Sequence, residues 1–168
     1  MLPSMRRRRQ EMDLACIQEL LRAGDYGILA VQGNDGYPYT IPINYVFLEK
    51  GLDGSAAKGA FYFHCALEGH KIEAVRRDPK ASFCVVGQHD VIPDKFATTF
   101  QSVVAFGQVR IVEDIEMREA VYALTKKFDP KAHETILAEI EKDGPLCAVL
   151  ELKVEHMTGK LSSNLLKS

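Results

Sequence analysis

The 168-residue sequence has no apolar run near the ~20 residues that a membrane-spanning helix needs. It has no Cys-x-x-Cys pair: Cys16, Cys65, Cys84 and Cys147 are scattered, which argues against a zinc knuckle or a redox dithiol. It lacks a G-x-S-x-G elbow, a phosphate-loop motif and a dinucleotide fingerprint. Charge of one sign is not in excess, the net charge being −2, so nothing draws the chain as a whole to nucleic acid or an anionic membrane. The four arginines Arg6–Arg9 are followed by no apolar stretch and are not a secretory signal. They read as the solvated start of a helix, and a cytoplasmic location is expected.

What is present is an ordinary globular composition, 46% hydrophobic and 26% charged. The length suits one domain spanning 1–168. Leu14, Ile17, Leu20 and Leu21 recur at helical spacing, and Gly24 stops the helix expected over 11–23. A short apolar run over 26–31, the turn Gly33-Asn34-Asp35-Gly36 and a second run read as a hairpin. In that second strand Tyr39, Ile41, Ile43, Tyr45 and Phe47 alternate with Thr40, Pro42, Asn44 and Val46. One face is therefore core and the other half-polar, and Pro42 marks an edge or an interruption of the ladder.

Further strands are expected at 60–65, 81–86, 100–112 and 146–156, with helices at 68–77, 113–128 and 132–141. The segments 51–59 and 88–99 read as a surface loop and a connector. Strands outnumber helices and are joined by turns, so the fold class is mainly β with peripheral helices (α+β), an antiparallel sheet or barrel.

Phe61-Tyr62-Phe63-His64-Cys65 runs into Ala66-Leu67-Glu68-Gly69-His70-Lys71. A buried strand passes directly into a helix whose first turn holds Gly69, His70 and Lys71. Unpaired N–H groups and the positive end of the helix dipole suit a phosphate there, glycine permits close approach, and lysine adds a charge. His64 and His70 are not spaced as a pair of metal ligands on one helix, so no metal site is expected. A histidine as a haem ligand stays open.

The block Asp35–Tyr45, the run Tyr62–Lys71, Asp78-Pro79-Lys80-Ala81-Ser82-Phe83, Ser102–Gly107 and His156–Lys160 together resemble the pyridoxamine 5'-phosphate oxidase-like proteins, in particular the branch of nitroimidazole-resistance proteins. The resemblance implies an FMN-binding split β-barrel working as a homodimer, with the flavin at the subunit interface. It implies that Thr40, Ile41, Pro42 and Asn44 border the ring and ribityl chain, and that His64, Cys65 and Ala66 form a floor. Gly69, His70 and Lys71 would hold the phosphate, with Ser102 and Val103 supplied by the partner subunit. FMN is the expected cofactor, with FAD or haem as alternatives. The second strand lacks the oxidase's arginines, and the chain has no arginine-containing C-terminal motif, which argues against vitamin B6 oxidation. The expected activity is a flavin-dependent reduction of small molecules such as nitroaromatics, with His70 as proton donor. A flavin- or haem-binding carrier or sensor without turnover is the alternative.

Overall fold

The structure, a computed structural model, describes residues 5–129, 131, 135, 136, 138 and 147–162. The first helix, α1 (Leu14–Ala23), begins where the Asp13 carboxylate accepts a hydrogen bond of 2.8 Å from the Cys16 N–H. Before it Arg8–Gln10 make one 3-10 turn, and the chain from Glu11, expected to be helical, is extended because Glu11 bridges to Lys160 and the Met12 N–H donates to the Gly159 carbonyl. Ile17, Leu20 and Leu21 face inward, as their spacing requires.

β1 (Tyr26–Gln32) and β2 (Pro38–Asn44) form the expected hairpin, in register from Tyr26 opposite Asn44 to Gln32 opposite Pro38. Asp35 and Gly36 turn the chain with φ of 56° and 81°. The long second strand breaks once. Tyr45 separates β2 from β3 (Val46–Leu48), after which follow β4 (Ala60–Cys65), α2 (His70–Arg77), β5 (Lys80–Ile92), β6 (Ala97–Val112), α3 (Asp114–Phe128) and β7 (Ala148–Leu161). The helix expected over 132–141 falls largely outside the described residues.

The sheet order is β2-β1-β5-β6-β7-β4-β3, every neighbouring pair antiparallel. Its two ends, β2 and β3, are one stretch of chain with a single residue between them. The sheet therefore closes on itself through Tyr45, and a strand that switches neighbours there makes a split barrel. Pro42 sits in β2, which among the described residues has β1 alone as ladder neighbour, so its missing N–H breaks no second ladder there.

The switch also explains Val46. It was expected on the half-polar face with Thr40 and Asn44, yet Val46 and Phe47 are both buried. Phe47 points into the barrel with Phe61, Phe63 and Phe83, while Val46 joins Tyr62, Val112 and Val149 beneath Ala120, Val121 and Leu124 of α3. Inside the barrel the Phe83 ring meets those of Tyr45, Phe61 and Phe63 at centroid distances of 5.2, 5.0 and 4.9 Å.

The connector expected over 88–99 is a correction. β5 and β6 continue through it as a hairpin, His89 opposite Phe100 to Ile92 opposite Ala97, with the turn at Pro93–Lys95. Its polar residues hid the strands, because a two-stranded ribbon clear of the barrel has no buried face to write an alternating pattern.

Candidate functional site

The strand-to-helix junction after β4 has the predicted character, although α2 starts at His70 and not at Glu68. Gly69 is the residue before the helix and has φ of +118°, a conformation that L side chains rarely adopt. The N–H groups of Ile72 and Glu73 return to the Gly69 carbonyl, and no side chain caps the helix. The N–H groups of His70 and Lys71 have no intrahelical acceptor and lie at the positive end of the dipole. Lys71 is half-buried nearby. Burial pushes the Cys65 thiol above its ordinary pKa, and the Lys71 charge partly offsets this, so Lys71 and Cys65 share one neighbourhood.

His70 ties this helix to the hairpin. Its ring meets Tyr39 edge-on at 4.6 Å, and its Nε2 lies 3.5 Å from the position a Cβ on Gly33 would take. At the other end of α2, the Arg77 guanidinium donates to the Asn34 side chain at 2.9 Å and to the Gln32 carbonyl at 2.7 Å. The helix is thus clamped along the β1–β2 turn. On β2, Thr40, Pro42 and Asn44 are exposed on one face, while Tyr39, which meets His70, shares the other face with the half-buried Ile41 and Ile43. The Asn44 amide donates to the Asp25 carbonyl at 3.1 Å, which fixes the side chain and leaves its oxygen for another donor.

His64 is exposed opposite Val149, Cys65 is half-buried opposite Ala148, and Ala66 is exposed just beyond the strand. Ser102 and Val103 stand apart. They lie in β6, with β5 and β1 between them and β2. Ser102 is half-buried between Val86 and Lys160, and Val103 is 1% exposed inside the barrel, so only its backbone faces a neighbour on the outside. Within one chain His70 meets β2 through Tyr39, and Ser102 lies two intervening strands away from β2.

Two rows across the outer face of five strands went unread in the sequence. One runs Pro42, Ile28, Cys84, Val104, Thr158; the other runs Thr40, Ala30, Ser82, Phe106, His156. None of the ten residues is an acid, a lysine or an arginine. The His156 Nε2 is buried with no hydrogen-bond partner, and its ring lies 6.3 Å from that of Phe106.

A second unread feature is a buried carboxylate. Glu151 is 3% exposed, accepts from the Tyr62 hydroxyl at 2.6 Å and from Arg110 Nε at 2.5 Å, and Arg110 forks onto Glu116 at the start of α3. Burial and the Glu151 hydrogen bond push the Tyr62 hydroxyl well above its ordinary range, keeping it a donor. This network pins α3 to the barrel. Among the described residues no cluster of three or more His, Cys, Asp or Glu side chains offers a metal site.

Comparison with known families decides the membership: the sequence model described as pyridoxamine 5'-phosphate oxidase matches residues 13–161. The chain belongs to that family. The split barrel described above is the family's flavin-binding fold. Among solved structures, a candidate 5-nitroimidazole antibiotic resistance protein from Bacteroides thetaiotaomicron shares 20% identity, with TM-score 0.68 over 89% of this chain and 85% of that one. An FAD- and haem-binding protein from Mycobacterium smegmatis aligns at TM-score 0.74 and 19% identity, over 92% of this chain and 73% of that one. A flavocytochrome from Azotobacter vinelandii aligns at TM-score 0.74 and 17% identity, over 95% and 72%. At these identities the likeness shows the fold. No curated protein matches the chain. Among the described residues no helix is long and apolar enough to cross a membrane.

Proposed function

We propose that this member of the oxidase family binds FMN and acts as a flavin-dependent oxidoreductase on small molecules of the nitroaromatic type. The observation that carries the reading is the clamp between α2 and β2. It packs a phosphate-ready helix start, with Gly69 open and Lys71 adjacent, against Tyr39 of the strand whose other face exposes Thr40, Pro42 and Asn44. The residues fit a phosphorylated planar group. Gly69, His70 and Lys71 hold the phosphate, Thr40 to Asn44 border the ring, and His64, Cys65 and Ala66 line the floor. The bound flavin would supply the electrons, and the protein's part is to bind, orient and exclude water. His70, fixed by Tyr39, is the side chain we assign to proton delivery.

The homodimer belongs to the same proposal. The uncharged outer rows from Pro42 and Thr40 to Thr158 and His156 form an extended face of the kind that partners cover. The open side of the flavin face and the distance of Ser102 from it both call for a second copy. FAD or haem in place of FMN, as in the proteins from M. smegmatis and A. vinelandii, is the reading to separate first, and so is binding without turnover. An absorption spectrum of the purified protein, with mass spectrometry of the released ligand, is the test. Flavin bands and an FMN mass support the reading. A colourless protein that takes up no flavin when titrated overturns it.

A further inference from the structure

The hairpin beyond His89 and Phe100 has no role in the site above. β5 pairs with β1 only as far as Cys84, and β6 pairs with β7 only as far as Gln101. Past that rim Phe100 still exchanges hydrogen bonds with Ser162, and from His89 to Thr99 the two strands pair only with each other among the described residues. At the ~3.4 Å rise of an antiparallel strand, the ribbon projects roughly 14 Å. An isolated two-stranded hairpin is marginal in water. This one also exposes Val91 and leaves Phe96 wholly uncovered at its tip, with φ of +45°, a conformation that bulky residues rarely adopt. Lys95 stands beside Phe96.

At the base of the ribbon lies a cavity of about 500 Å³, between α1 and the bulge at Gly87–Gln88. Met12, Leu20, Tyr26 and Val86 give it apolar walls, and Glu19 and Asp25 give it negative charge. No lysine or arginine is among its described lining residues. Asp25 also acts on Lys127 of α3, whereas Glu19 makes no ion pair among the described residues. The tip and the cavity are complementary: one offers an uncovered aromatic ring next to a cation, the other a mixed cavity with apolar walls, the amides of Gln88 and Gln101, and two carboxylates.

We propose that two copies of the chain exchange these ribbons, the Phe96 ring of each seating in the α1 cavity of the other with Lys95 beside Glu19. A two-fold dimer uses the same patch twice, so a tip and a hole on one chain can both be satisfied in one closed contact. Two ribbons lying antiparallel bring each tip to the other's base, which is where the cavity opens. The ribbon also continues β5 and β6, whose outer rows carry the face assigned to the dimer, so the exchange extends that face. The inference rests on the dimer reading and adds to it which segment crosses and where it lands.

Cys16, exposed in the cavity lining, gives a direct test. Full-length Asp94→Cys protein, which keeps Phe96 and Lys95, is treated with a short bismaleimide, and the product is mapped by peptide mass spectrometry. A dimeric product linking 94 to 16, absent from Asp94→Cys with Cys16→Ser, is the expected result. A 94-to-94 link alone, or no dimeric product from protein that sediments as a dimer, overturns the exchange. A second variant guards the conclusion. Phe96→Ser touches nothing within one chain, so folding is retained, and the dimer is expected to dissociate at least tenfold more readily. Unchanged dissociation in sedimentation overturns the exchange while leaving the dimer intact. A wild-type monomer that still carries flavin overturns both the exchange and the dimer, and leaves the flavin reading standing.

Discussion

The ammonium of Lys127, in the last turn of α3, lies 4.1 Å from the centroid of the Tyr45 ring and donates to the Tyr45 carbonyl at 3.0 Å. It also donates to the Gly24 carbonyl. Tyr45 is fully buried at the point where the strand changes neighbours, and its hydroxyl donates to the Leu21 carbonyl at 2.9 Å. The break in the barrel is thus held by one tyrosine and one lysine, which satisfy the Leu21 and Gly24 carbonyls at the end of α1 and the Tyr45 carbonyl at the interrupted ladder. Lys127→Met keeps the stem and removes the donors. It is expected to cost about 1–3 kcal/mol, read from the urea midpoint at constant slope. Tyr45→Phe strands the Leu21 carbonyl and is expected to cost about 1–2 kcal/mol. The two losses should not add, because both variants loosen the same junction.

Burial holds the Lys127 ammonium below its ordinary pKa of 10.5, with the charge of Asp25 partly offsetting this. The sign follows. A lysine whose folded pKa lies below its unfolded pKa binds fewer protons when folded, so its contribution makes stability rise with pH between those two values. Denaturant midpoints from pH 8 to 10.5 should show a component that rises with pH and is missing in Lys127→Met. An identical profile in both proteins would remove Lys127 as its source.

Lys71→Ala is expected to weaken flavin binding at least tenfold, with little change in the melting temperature of the flavin-free protein, because its ammonium makes no hydrogen bond or ion pair among the described residues. Gly69→Ala tests the same seat through the backbone. A Cβ there meets no atom within 4 Å, but the positive φ strains any L side chain. That variant should lose both flavin and stability, the latter by about 1–2 kcal/mol. Flavin fluorescence titration and a thermal melt separate the two effects.

Acid should loosen α1. The Cys16 N–H hydrogen bond holds the Asp13 carboxyl below its ordinary pKa of 3.8. Its stabilising contribution is complete above the unfolded value and is lost as pH falls through the lower folded value. Asp13→Asn can still accept from the Cys16 N–H and does not titrate, so its midpoints should depend less steeply on pH between 2.5 and 4.5 than those of the wild type.

Much of this was legible in the chain. Leu14 to Leu21 announced α1, Gly33 to Gly36 announced the hairpin, and Gly69-His70-Lys71 announced a helix start open to an anion, because each signal is local. Three things were not. The break at Tyr45 looks like unbroken alternation, since Val46 is apolar for a second core that only α3 creates. The ribbon over 88–99 carries no burial pattern because none of the described residues covers it. Glu151 reads as one more charged residue until β4 and β6 bring Tyr62 and Arg110 to it. The site residues occupied the same scale as these misses: His70 was placed as a first-turn residue, but its contact with Tyr39 exists only once the hairpin and helix are packed.

The uncharged outer rows make the sharpest claim about assembly. Val104 lies between Cys84 and Thr158 in the middle of the first row, and Phe106 lies between Ser82 and His156 in the second. Neither position belongs to the helix start that is assigned the phosphate. If this face is the seam of a dimer, a charge at its centre must be desolvated twice over by symmetry, once on each copy. Val104→Asp should therefore give a monomer in sedimentation, while the side chain, outside the barrel, leaves the far-UV circular dichroism unchanged. If the proposed flavin face is completed by the second copy, the same variant should also bind flavin at least tenfold more weakly, although no residue at the phosphate has been altered. A monomeric Val104→Asp protein that binds flavin normally would place the whole cofactor site within one chain. A dimeric one would move the seam to another face of the barrel.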